Sequence, residues 1–148
     1  MSKKTGDFLV CKESADQFYK VAQWCEDRDA LAFLNETMYP YAVNVSFACE
    51  LYLKAIMLKR SGIDEFTQGH NLLDLFNSLD VQDKTNLETE FAQKYSEKTL
   101  IDFLDENKDV FISWRYALEK DVQINYSGFT AFAEVLNRFV EDMKNGIR

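Results

Sequence analysis

The chain holds one proline, five glycines, one histidine and three cysteines among 148 residues. Each scarcity excludes something. With so little to interrupt the backbone, long unbroken elements are expected, and helices are the natural outcome. One imidazole and three widely spaced thiols, Cys11, Cys25 and Cys49, with no Cys-x-x-Cys pair, fall short of the four ligands a structural zinc site takes. The thiols read as reduced and buried, and nothing calls for a metal or a cofactor. Gly-x-Ser-x-Gly elbows and phosphate-cradling glycine loops are also missing, which leaves serine-type hydrolysis and P-loop chemistry without a footing. The opening MSKKTGDFLVCKES has no apolar run of signal-peptide length, and no later run reaches the roughly 20 apolar residues that span a bilayer. A cytoplasmic protein with no membrane partner is expected.

What is present is apolar mass. Hydrophobic residues make up 47% of the chain and aromatics 14%, with twelve Phe, seven Tyr and two Trp. That fills the core of one ordinary domain, and the length is too short for two. The expectation is a single helical domain over 1–148, with about 1–12 free to be flexible. Seventeen basic against twenty-five acidic residues leave a net charge of −8, so the molecule as a whole repels polyanions. Unspecific DNA binding is disfavoured, and any basic site must be local.

Apolar residues recur at helical spacing. A first helix is predicted from about Ser14 to Asn35 through Phe18, Val21, Ala22, Cys25, Ala32 and Phe33. A second runs from Pro40, suited to a first helical turn, to Ser61, with Gly62 as its cap and IDEFTQG as a loop. HNLLDLFNSL gives a short third helix capped by Asn71 with Asp74, its inner stripe being Leu72, Leu75, Phe76 and Leu79. Asp83 caps a fourth through Leu87, Phe91 and Tyr95, broken near Ser96. A fifth spans about Lys108 to Lys120, Asn125 to Gly128 form a turn, and a last helix runs from Phe129 to about Lys144 through Phe132, Val135, Leu136, Phe139 and Val140. No stretch alternates with period two.

Three features could carry chemistry. In YAVNVSFACELYLKAIMLK the second helix is apolar on almost every face, yet Ser46, Glu50 and Lys54 line up four residues apart. The stripe is either the strip left in water or the edge of a polar pocket. In FISWRYALEK, Arg115 sits between Trp114 and Tyr116, one turn before Glu119. It is either a core arginine tied to Glu119 or Glu50, or an anion site, since a guanidinium fork matches phosphate oxygens at two points. His70 is the one imidazole available for acid–base work, and its other role is to close the 62–69 loop over the core.

SFACELYLKAIMLKRSGIDEFTQGHNLLDLFNSL (46–79), followed by FISWRYALE (111–119), resembles the HEPN superfamily, the higher eukaryote and prokaryote nucleotide-binding helical domains. The marks are the Glu-Leu-x-Leu-Lys-Ala core, the Gly-His-x-Leu helix start and the Trp-Arg-Tyr segment. The resemblance implies an all-α, up-and-down bundle of four to five main helices plus a short one, often a two-fold homodimer, with an antitoxin or a nucleotidyltransferase as partner. It implies a cleft for a nucleotide or RNA phosphate, or a metal-independent endoribonuclease in a defence or toxin–antitoxin setting. Active members carry an Arg, four to six residues, then a His. Here Arg115 matches the arginine, and Lys120 stands where the histidine would be. The implied site is therefore Arg115 and Lys120, with His70 as a substitute from another helix and Glu50, Lys54, Trp114, Tyr116 and Glu119 around them. Binding ranks first. A non-catalytic interaction domain and the ribonuclease are the alternatives.

Overall fold

In the computed structural model, residues 4–61, 71–108 and 125–148 are described, with side chains from Phe8 onward, and every regular element among them is a helix. The first, α1 (Lys4–Glu26), begins well ahead of the expected Ser14, because Phe8 already carries the inward face at 1% exposure. Its buried side chains are Phe8, Lys12, Ala15 and Ala22, whereas Phe18 and Val21, expected inside, are exposed. Two alanines on the inner face let α1 lie close to its neighbour, and the larger side chains turn outward.

The chain breaks at 27–29, so the single predicted helix is two. Asp29 restarts it by accepting a hydrogen bond from the Ala32 N–H at 2.9 Å. A short α2 (Ala30–Ala32), a π turn (Phe33–Thr37) and α3 (Met38–Ser61) follow without interruption. The π turn has a local cause. Pro40 has no N–H to give the Glu36 carbonyl, and a widened turn just before it relieves the clash of the ring with that carbonyl.

Against the sequence expectation, Ala30–Ser61 is long and apolar enough to cross a bilayer. Its apolarity is used differently: 78% of the apolar window is buried within the protein, where α3 packs chiefly against α1 and the C-terminal helix. A helix covered on several sides is apolar all round for that reason.

Asn71 caps α4 (Leu72–Asn77) as expected, accepting from Asp74 N–H at 3.1 Å, and Leu72, Leu75, Phe76 and Leu79 are all buried. The cap of α5 (Val81–Lys94) is Asp80 rather than Asp83. Asp83 lies inside the first turn, 2% exposed, and faces Arg60 at the end of α3. Thr99 caps α6 (Leu100–Asn107) after the break that follows Lys94. The expected helix 108–120 falls outside the described residues, apart from Lys108.

Asn125 is a cap and not a turn: its Oδ1 accepts from Gly128 N–H at 2.8 Å and opens α7 (Tyr126–Lys144). Gly128 is helical, and a Cβ there would sit 2.6 Å from the Phe103 ring. That close approach seats α6 on α7. Phe91, Phe103, Phe129 and Phe132 then stack edge to face or tilted, with centroids 5.0–6.1 Å apart. The stripe Phe132, Val135, Leu136, Phe139 and Val140 is fully internal, as its spacing predicts.

Candidate functional site

Of the residues singled out from the sequence, Glu50 and Lys54 are described. Arg115, Lys120, His70, Trp114, Tyr116 and Glu119 lie outside the described residues. The Ser46, Glu50 and Lys54 stripe is not a strip left in water: the three are 0%, 1% and 8% exposed. Ser46 turns back on its own helix, donating to the Ala42 carbonyl at 2.7 Å. One turn on, the Lys54 ammonium donates to Glu50 Oε2 at 2.9 Å. Removing both charges from water is costly, and mutual pairing is what makes it tolerable. An internal ion pair therefore stands in the middle of the Glu-Leu-x-Leu-Lys-Ala segment.

One backbone contact joins two ends of the described body. Leu72 N–H donates to the Lys108 carbonyl at 3.0 Å, which joins the start of α4 to the end of α6. Segment 62–70 ends just before that point, and segment 109–124 begins just after it. The chain thus enters one segment and leaves the other at adjacent places on the described body.

A second polar group, unforeseen in the sequence, links three helices. Asp16 on α1 accepts from the Tyr52 hydroxyl of α3 at 2.5 Å and from the Asn137 amide of α7 at 3.3 Å. Asn137 also donates to the Tyr52 oxygen at 2.9 Å. Lys12, 7% exposed, bridges Asp16 and Glu141, each at 2.7 Å. Burial works against its charge, yet the hydrogen bonds of the two carboxylates outweigh that and raise its pKa. Lys12 pulls Glu141 below the usual carboxylate range. The one sequence signal for this group was the Lys12–Asp16 spacing of four. A cleft of about 310 Å³ beside it is lined by Leu9, Lys12, Glu13, Asp16 and Lys144.

A larger cleft, about 430 Å³, lies between Glu26 and α7 and includes Lys94, Tyr126, Thr130 and Glu134. Two pairs of its polar groups engage each other: Thr130 donates to Glu26 at 2.8 Å, and Lys94 pairs with Glu134 at 2.9 Å. Among the described residues no three His, Cys, Asp or Glu side chains are placed to hold a metal. Burial pushes the Cys25 and Cys49 thiols up, away from the thiolate that nucleophilic chemistry needs.

The fold and these clusters define an all-α helical bundle with an internal ion pair on its central helix. Comparison of the chain with protein-family models, with curated proteins and with solved structures finds no match.

Proposed function

We propose that this chain is a HEPN-like helical module that binds a nucleotide or an RNA phosphate through Arg115, with Lys120 five residues beyond it. The observation that supports this best is the Leu72–Lys108 hydrogen bond. It joins Leu72, two residues after His70, to Lys108, seven residues before Arg115, which supports a site that His70 and Arg115 could share. The guanidinium supplies two-point contact to phosphate oxygens and Lys120 adds a point charge. Within the bundle, Glu50 pairs with Lys54 on α3. Trp114, Tyr116 and Glu119 flank and orient Arg115. In a molecule of net charge −8, such a site acts on an anion at short range and leaves bulk nucleic acid repelled. The setting proposed is a defence or toxin–antitoxin module, with an antitoxin or a nucleotidyltransferase as partner, and a cytoplasmic location.

Titration with nucleotides and short single-stranded RNAs at low and moderate salt tests the reading. A salt-sensitive affinity that is lost in Arg115→Ala and weakened in Lys120→Ala, with helicity unchanged, supports it. Absence of binding by the unmodified chain removes it. Cleavage of RNA in EDTA that disappears in Arg115→Ala replaces it with the endoribonuclease.

A further inference from the structure

Helix α1 carries two seams of heptad spacing. Phe8, Lys12, Ala15, Tyr19 and Ala22 follow one another by four and three residues, and this seam faces α3 and the core. Val10, Ser14, Gln17, Val21 and Trp24 repeat the same spacing two residues later. Two residues turn a helix by about 200°, so the second seam lies on the opposite side, facing away from the protein. Val10 is 64% exposed and Trp24 66%. Phe18 widens the apolar strip, its ring meeting Phe47 of α3 edge to face at 4.6 Å. An exposed tryptophan in line with two valines, at the spacing by which helices pair, is a composition that interfaces favour.

We propose that the outer face of α1 is a self-association surface on which a second copy of this chain lays its own α1 antiparallel. Charge selects the occupant. Glu13 and Lys20 edge the seam on the same side, and among the described residues neither forms an ion pair. They stand on either side of the seam's midpoint. A two-fold axis near Gln17 therefore brings Glu13 of each copy beside Lys20 of the other, twice, while Val10 meets Trp24 of the second copy and the two Gln17 amides face each other. A parallel pairing would lose both ion pairs. Isolated helices of this length rarely pair, because they must first fold. Here α1 is already held by its inner seam, so pairing bears no such cost. The proposal rests on this surface alone, and neither Arg115 nor the phosphate site enters it.

Sedimentation of the full chain over a range from about 5 µM to about 500 µM tests it, with dimerisation expected on the order of 10 µM. Val21→Asp should leave a folded monomer. Glu13→Lys and Lys20→Glu should each weaken the dimer about tenfold, because each turns two attractions into two repulsions. An equimolar mixture of these two variants should recover the affinity of the unmodified chain, since each restores the other's missing sign. A chain that stays monomeric across the range overturns the proposal. So does a dimer that is indifferent to both charge changes and to Val21→Asp.

Discussion

Asp83 presents both carboxylate oxygens to one guanidinium: Arg60 Nε donates to Oδ2 and Nη2 to Oδ1, each at 2.8 Å. The carboxylate is 3% exposed and the arginine side chain 32%, so the pair sits at the wall of the protein with its anion inside. It ties the end of α3 to the first turn of α5. Arg60→Ala strands a buried charge and is expected to cost about 3 kcal/mol of stability. Adding Asp83→Asn to that variant should recover part of the loss. Urea unfolding midpoints of the two variants measure both effects.

The contact of Gly128 with Phe103 gives a second expectation. The phenylalanine ring is fully buried and packed by Phe91, Phe129 and Phe132, so it has little room to retreat from a methyl group. Gly128→Ala should destabilise by about 1–3 kcal/mol despite the better helix propensity of alanine. Gly128→Ala combined with Phe103→Leu should lose less than the sum of the two single changes. Thermal unfolding of the set distinguishes coupling from additivity.

Two tyrosines should ionise only at high pH. Burial raises Tyr19 and Tyr126 to about 12 from an ordinary value of 10.0. A group raised in the folded state contributes stability that is complete below its unfolded pKa and lost as pH climbs through the folded one. Stability should therefore hold up to about pH 10 and decline toward pH 12. Absorbance of phenolate during a pH titration should show a fraction of the seven tyrosines ionising only in that upper window.

The acid limb has the opposite sign. Glu141 is depressed first by its hydrogen bond to Lys12, so its contribution is present above the ordinary carboxylate value of 4.5 and is lost as pH falls through the lower folded value. Lys12→Met removes the cause. Unfolding free energy measured between pH 6 and pH 3 should then fall less steeply than in the unmodified chain, a change that a purely apolar packing role for Lys12 would not produce.

The parts of this fold legible in the sequence are those whose apolar stripe has one side only. Leu72, Leu75, Phe76 and Leu79 are buried as read, and so is the stripe from Phe132 to Val140. Helix α1 misled because both its faces carry apolar side chains at helical spacing; Phe18 and Val21 are larger than Ala15 and Ala22, yet the small residues face the core. Asp83 and Asp80 are equally good caps by composition, and only Arg60, 23 positions earlier, draws Asp83 inward. In the candidate site the spacing of one turn aligned Glu50 with Lys54 but did not give their pairing inside the core, because the same spacing suits a strip left in water or the edge of a pocket. The Asp16, Tyr52 and Asn137 group was not readable, because its members are separated by 36, 85 and 121 positions and meet through packing alone.

The reach of α7 has a bearing on how the chain condenses. Helices α1 and α3 adjoin in sequence and can pair early, but the hydroxyl of Tyr41 finds Thr130 only 89 residues further along, and Asp16 waits 121 for Asn137. Loop-closure entropy makes the docking of α7 the slow event. A nascent chain lacking it would present the bare flank of its most apolar helix to chaperones or to aggregation.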